Sequence, residues 1–309
     1  IMKIVESRRL VRHSAVLAAL IFFGAACGSS EDIFGLSVSG VTTTAAPTTT
    51  EVPAPEFPVA IISLSPTATE ILFAIGAGDQ VVAVDDQSTY PADAPMSDLS
   101  GFTPNVEAIA EYDPDLVIIS YDPGDLVSGL EALGITVLSQ SAAYSLDDTY
   151  VQIVELGDLT GHVDEATAVN TEIKVGLLAL AESQVGAGLT YFHEIDSTLY
   201  TATSVTFVGQ LYALLGLENI ADLADEEGWG YPQLSPEYIL DADPDVIFLN
   251  DAQWGESLET LAARPAWGSL SAVINGQVID LDETAGRWGP RVVDFLTGVA
   301  SALEGLTAE

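Results

Sequence analysis

Basic residues are almost missing from this chain. Lys and Arg together number 8 in 309 residues, against 46 Asp and Glu, for a formal net charge of −38. Lys3, Arg8, Arg9 and Arg12 crowd the start, so only Lys174, Arg264, Arg287 and Arg291 serve the remainder. Such a surface repels nucleic acid and anionic lipid and keeps the protein dissolved. Cysteine is equally scarce: Cys27 is the only one, which excludes an internal disulfide. Beyond residue 26 there are two histidines, His162 and His193. A receptor for bare zinc or manganese normally uses several His and carboxylates, so the scarcity favours a metal chelate over a bare ion as cargo. Enzyme signatures are missing too: there is no Gly-x-Ser-x-Gly elbow, P-loop or Gly-x-Gly-x-x-Gly. Asp85 and Asp86 are adjacent at a strand end, so their side chains point apart and make a poor acid–base pair. The reading is therefore not an enzyme, and no cofactor is expected.

What is present begins with a targeting segment. After the four basic residues, Ser14 to Ala26 forms an apolar run of thirteen residues, short of the roughly 20 needed to span a bilayer. It ends in Gly24-Ala25-Ala26-Cys27, which resembles a bacterial lipobox with Gly24 in place of the usual leucine. That resemblance implies cleavage before Cys27, a lipid on its sulfur, and an extracytoplasmic protein held to the cell membrane by that anchor alone. Residues 1–26 are thus read as a signal peptide. Residues 27–56, with Val41-Thr42-Thr43-Thr44-Ala45-Ala46-Pro47-Thr48-Thr49-Thr50, are read as a disordered tether, because a Thr/Pro/Ala stretch has too little apolar surface to fold.

One segment occurs twice. Glu107 to Ser120 returns as Glu237 to Asn250, at a constant offset of 130. Each copy reads as a short helix, an Asp-Pro-Asp turn and a buried strand. Proline fixes its own φ and biases the residue before it away from helix, so the turn is well motivated. The apolar runs Leu116-Val117-Ile118-Ile119 and Val246-Ile247-Phe248-Leu249 suit strands covered on both faces, as in a parallel sheet. A unit repeated once at this distance predicts two similar α/β lobes, with a cleft between them for a small molecule.

Strands are predicted at Val59–Leu64, Val81–Val84, Leu116–Ile119 and Thr136–Leu138. Helices are predicted from Pro66 to about Ile75 and from Asp125 to Leu133. This βαβ alternation gives a first lobe over 57–145. Residues 146–185 carry apolar residues at helical spacing and read as one long connecting helix, with Gly157 and Gly161 as its weak points. The second lobe, 186–309, repeats the pattern: strands at Leu189–Phe192, Asp245–Leu249 and Gln277–Leu281, and helices at Thr206–Leu215 and Arg291–Leu303.

Several segments together resemble a known group. Ile61-Ile62-Ser63-Leu64-Ser65-Pro66-Thr67-Ala68-Thr69-Glu70-Ile71-Leu72 is similar to the opening of the periplasmic binding proteins for vitamin B12, ferric siderophores and haem. Asn105-Val106-Glu107 with Asp113-Pro114-Asp115 resembles their next signature. Leu215-Gly216-Leu217-Glu218-Asn219-Ile220 and Tyr231-Pro232-Gln233-Leu234-Ser235-Pro236-Glu237 match their second lobe. The resemblance covers about 57 to 305. It implies two Rossmann-like lobes with parallel-rich sheets, joined by one long helix. It implies a monomeric receptor that hands its cargo to an ABC permease dimer with its ATPase. In that group one glutamate per lobe docks on permease arginines, and those positions match Glu107 and Glu237. Rim charges of this kind set on-rate and register.

In doubly wound folds the loops after the strand C-termini line the cleft. These place Gln87 to Tyr90, Leu99 to Phe102, Tyr121, Asp122, His193, Tyr200, Trp229 to Tyr231, Gln253, Trp254, Arg287 and Trp288 on the cleft, with Gln87, Tyr121, His193, Tyr200, Trp229, Tyr231, Arg287 and Trp288 as the ligand-binding candidates. Aromatic rings there can stack on a flat macrocycle. Arg287 can hold a propionate, phosphate or carboxylate in bidentate fashion, whereas Arg291, four residues on, reads as a structural ion-pair partner. Tyr121, Tyr231 and His193 are candidates for haem ligation. Tyr121 and Tyr231 fall where the B12-binding members carry aromatic contacts; Gln87 stands where they carry tyrosine and Leu99 near their tryptophan. Corrinoid, haem and ferric siderophore all remain open as cargo.

Overall fold

The computed structural model describes residues 57–307. The signal segment with Cys27 and the tether lie outside the described residues. Among the described residues no helix is long and apolar enough to cross a membrane.

The first lobe contains β1 (Ile61–Leu64), α1 (Pro66–Ala74), β2 (Val81–Val84), α2 (Val106–Ala110), β3 (Leu116–Ile119), α3 (Leu126–Ala132) and β4 (Thr136–Ser139). Its four strands are parallel, in the order β2-β1-β3-β4. Two helices follow, α4 (Leu146–Thr160) and α5 (Val163–Ser183). The second lobe contains β5 (Thr190–Glu194), α6 (Phe207–Leu214), β6 (Glu218–Asn219), α7 (Pro236–Ala242), β7 (Val246–Leu249), α8 (Leu258–Ala263), α9 (Ser271–Ile274), β8 (Val278–Asp280) and α10 (Val292–Thr307). Its strands are also parallel, in the equivalent order β6-β5-β7-β8.

The repeated segment owes its shape to the same contacts in both lobes. Asn105 caps α2 by accepting from Ala108 N, and Ser235 caps α7 by accepting from Tyr238 N. After each helix the chain turns at an aspartate in the left-handed region: Asp243 (φ 44°) caps α7 directly, and Asp113 (φ 49°) follows the right-handed C-cap Glu111 of α2. The aspartate after each proline then ties the turn to the neighbouring strand. Asp115 Oδ2 accepts from Val59 N at 2.8 Å and Ala60 N at 3.1 Å. Asp245 Oδ2 accepts from Thr190 N at 2.8 Å and Thr190 Oγ1 at 2.9 Å. Because Val59 and Ala60 give their N–H groups to a carboxylate, β1 starts two residues later than predicted.

Strand periodicity sorts the core. Leu116 and Ile118 of β3 face a cluster shared with α1, α4, α5 and α10, while Val117 and Ile119 face a separate one under α2 and α3. The shared cluster runs on through Tyr191, Tyr212, Val246 and Phe248 of the second lobe. One continuous apolar core therefore couples the lobes.

The connector is broken at one of its two expected weak points, so residues 146–183 hold α4 and then the 21-residue α5, which leads into the second lobe. The break is Gly161 (φ 81°), which closes α4 in the left-handed conformation that glycine adopts without steric cost. Gly157 lies inside α4, where a Cβ would stand 2.5 Å from that of Ala166, so it permits α4 and α5 to pack closely.

Candidate binding cleft

Loops after the strand C-termini converge on a hollow of about 250 Å³ between the lobes. The first lobe supplies Asp85 and Gln87 after β2, Gly101 and Phe102, and Ser120 and Tyr121 after β3. The second lobe supplies Arg287 and Trp288, from the turn that leads into α10. Four predicted ligand residues, Gln87, Tyr121, Arg287 and Trp288, thus stand around one space.

The aromatic wall is built from both sides. Phe102 and Tyr121 are exposed and tilted at 47°, with ring centroids 6.2 Å apart. Trp288 is oriented by its indole Nε1, which donates to Gln152 Oε1 of α4 at 3.0 Å. Gln152 is itself fixed, since its Nε2 donates to Ser141 O at 2.7 Å.

Arg287 and Arg291 share one carboxylate. Arg291 Nη1 donates to Glu70 Oε1 at 3.1 Å, and Arg287 Nε lies 3.6 Å from the same oxygen. Arg291 also reaches Glu283 at 3.4 Å and covers the Tyr90 ring at 4.3 Å, in agreement with its expected structural role. Burial pushes the Glu70 carboxyl above the usual range, against the pull of Arg291 and Arg287. Arg287 Nε and Glu70 Oε2 are both buried without a hydrogen-bond partner. Arg287 is the cation that lines the cleft, available to an anionic cargo group.

Four predicted residues stand elsewhere. His193 is 4 % exposed, because β5 runs two residues further than expected and carries it into the core. Its Nδ1 lies 3.1 Å from Tyr212 Oη, and burial lowers its pKa to about 4. It neither faces the cleft nor offers a free ligand to a metal. Tyr200 is exposed, bridges Gln233 in antiparallel fashion, and is not among the residues lining this hollow. Trp229 and Tyr231 line a separate hollow of about 280 Å³ with Asp225, Glu226 and Glu227. Asp225 shapes that loop by accepting from Trp229 N at 3.0 Å and Gly230 N at 2.7 Å. Phe102 lies in the Leu99–Phe102 loop that the sequence places on the cleft, whereas Asp85 was missed as a cleft residue. Asp85 is 1 % exposed, and its carboxyl is raised above the usual range by burial.

Glu107 and Glu237 are exposed, and each is the second residue of a capped helix, α2 and α7. A carboxylate there is favoured by the helix dipole and points to solvent. Among the described residues no group of three or more His, Cys, Asp or Glu is placed to hold a metal ion.

Two parallel-sheet lobes coupled by a shared apolar cluster, with a cleft at their strand C-termini, are the architecture of the solute-binding proteins that serve ABC importers. The chain belongs to the periplasmic binding protein family, whose model matches residues 61–285. It is 30% identical over 258 residues to an uncharacterized ABC transporter substrate-binding lipoprotein, YvrC, of Bacillus subtilis, covering 80% of each chain. It is 30% identical over 263 residues to a cobalamin-binding protein of Halobacterium salinarum, covering 81% of this chain and 70% of that one. Among solved structures it resembles the periplasmic vitamin B12-binding protein BtuF of Vibrio cholerae, with a TM-score of 0.65, 28% identity, and coverage of 82% and 99%. A possible iron-binding periplasmic protein from Staphylococcus epidermidis gives a TM-score of 0.69 at 25% identity, covering 80% and 98%. The family consists of solute receptors, not enzymes.

Proposed function

We propose that this chain captures a metal chelate in the inter-lobe cleft and delivers it to an ABC permease dimer driven by its ATPase. The observation that carries this reading is the meeting of Arg287 and Trp288 from one lobe with Gln87 and Tyr121 from the other. Aromatic faces suit a flat macrocycle, and one available guanidinium suits a propionate, phosphate or carboxylate on its edge. A hollow of about 250 Å³ seats one edge of such a chelate and leaves the rest in solvent. Corrinoid is the first cargo to test, since the cobalamin-binding relative is 30% identical; haem and ferric siderophores are the alternatives. Glu107 and Glu237 dock on the permease, one carboxylate per lobe. Cys27 carries a lipid that holds the receptor at the outer face of the cell membrane, as the lipoprotein name of the Bacillus relative supports.

The test is a titration of the purified protein with cyanocobalamin, haem and a ferric siderophore panel, read by Trp and Tyr quenching. Saturable binding of one chelate with Kd below about 1 μM supports the reading and names the cargo. Absence of binding by all of them overturns it.

A further inference from the structure

Behind the cleft wall lies a chain of buried hydroxyls. Asp85 Oδ1 is 2.6 Å from Ser88 Oγ, which is 2.9 Å from Thr69 Oγ1. Thr69 Oγ1 donates to Ser63 Oγ at 2.9 Å, and Ser63 Oγ donates to the Ser65 carbonyl at 3.0 Å. Ser63, Thr69, Ser88 and Asp85 are each at most 1 % exposed.

Counting protons decides how this chain works. It has four oxygen–oxygen contacts and three hydroxyl protons. With Asp85 ionised, Ser63 gives its proton to Ser65, Thr69 to Ser63, and Ser88 to Asp85. Ser88 and Thr69 are then left with facing lone pairs at 2.9 Å and no hydrogen between them. A proton on Asp85 Oδ1 supplies the missing one. Asp85 then donates to Ser88, Ser88 to Thr69, Thr69 to Ser63 and Ser63 to the Ser65 carbonyl, so every contact holds one hydrogen. Buried polar contacts are stable only when satisfied in this way.

We infer that Asp85 is a neutral carboxylic acid in the resting fold and a specificity residue of the cleft, presenting Oδ2 as an uncharged acceptor to an N–H or O–H donor on the cargo. This rests on the cleft being the cargo site, as proposed above. Oδ2 stands at the Gly101 wall, 2.9 Å from where a Cβ on that residue would lie, and both residues line the cleft. Its neighbours act in both directions. Burial, the largest influence, and Asp86 favour the neutral acid. Hydrogen bonds from Ser88 and from the backbone of Gln87 and Ser88 favour the carboxylate. Arg287 is the cation that shares the cleft. A neutral acceptor on one side and a guanidinium on the other select a cargo with both donor groups, such as carboxamides, and an anionic group. A cargo edge bearing only carboxylates finds no donor at Asp85, because its proton is engaged by Ser88.

Asp85→Asn and Asp85→Ala test this. Asparagine can donate Nδ2–H to Ser88 and keep a carbonyl oxygen toward the cleft, whereas alanine removes both. An infrared difference spectrum of wild type minus Asp85→Asn should show a protonated-carboxyl C=O stretch at about pH 6, where an exposed aspartate is ionised. Cyanocobalamin affinity at that pH should stay within about threefold of wild type in Asp85→Asn and fall about tenfold in Asp85→Ala, the worth of one hydrogen bond. Absence of the band overturns the inference, as does an Asp85→Asn loss equal to that of alanine, or wild-type affinity in both variants. Should wild type bind no chelate, the receptor reading falls, and the infrared band still decides the protonation of Asp85.

Discussion

Glu70 Oε1 accepts a hydrogen bond from Arg291 Nη1 at 3.1 Å across the boundary between the lobes. The side chain of Glu70 is 3 % exposed and that of Arg291 16 %. Removing one member of a buried ion pair strands the other, at a cost of roughly 3 kcal/mol. Arg287, 3.6 Å away through Nε, is too far to replace the bond. Arg291→Ala is therefore expected to lower urea-unfolding stability by about that amount, with Arg291→Lys intermediate because a lysine keeps the charge but not the fork. A loss below about 0.5 kcal/mol, the usual range for surface changes, would show that the pair contributes little.

His193 sets an acid limit on stability. Its folded pKa, about 4, lies below the unfolded value of 6.5. Between those values the unfolded chain binds a proton that the folded chain refuses. Stability is thus full above the unfolded pKa and falls as pH drops towards 4, by roughly 3 kcal/mol for a shift of this size. Denaturant unfolding between pH 7 and 4.5 should have a shallower pH slope in His193→Gln than in wild type. Equal slopes would place the acid sensitivity elsewhere.

The duplicated lobes were legible because their determinants are local. A capping residue, an Asp-Pro-Asp turn and an apolar run follow one another within 105–119 and again within 235–249, and Asp113 and Asp243 adopt the same backbone in both copies. Other features depend on assembly. Whether His193 ends a strand or begins a loop is decided by the pairing of β5 with β7, where His193 aligns with Phe248. β6 is two residues long and has no apolar run to announce it. The cleft was half legible: the chain order of loops pointed to Gln87, Tyr121, Arg287 and Trp288. Trp229 and Tyr231 line a hollow of their own, because Asp225 holds their loop. The place of Asp85 in the cleft was not legible, because adjacency to Asp86 describes only the local strand. Its partners Thr69 and Ser63 join it only once α1 and β1 pack beside β2.

Gly101 lines the cleft without a side chain, and a Cβ there would lie 2.7 Å from the Leu64 carbonyl and 2.9 Å from Asp85 Oδ2. The first of these is backbone at the end of β1 and cannot rotate away. Gly101→Ala is expected to cost about 1–3 kcal/mol in thermal or urea unfolding, the range for overpacking. It should also weaken cargo binding by shifting the wall that carries Asp85. An unchanged melting temperature together with unchanged affinity would mean that the loop absorbs the methyl group.

The two proposed docking carboxylates separate capture from delivery. Glu107 and Glu237 are exposed on α2 and α7, and neither is among the residues lining the cleft. Each helix keeps its cap, Asn105 or Ser235, when the glutamate is replaced. Loss of a first-turn carboxylate should cost only about 0.3–1 kcal/mol of stability. Glu107→Ala with Glu237→Ala should therefore bind cargo as wild type does, while uptake into cells carrying the cognate permease collapses. Each single variant should be intermediate, because one lobe still finds its arginines. High salt should weaken wild-type docking and leave the double variant unaffected, since exposed ion pairs are screened. Reduced cargo affinity in the double variant, or undiminished uptake, would remove these residues from the docking surface.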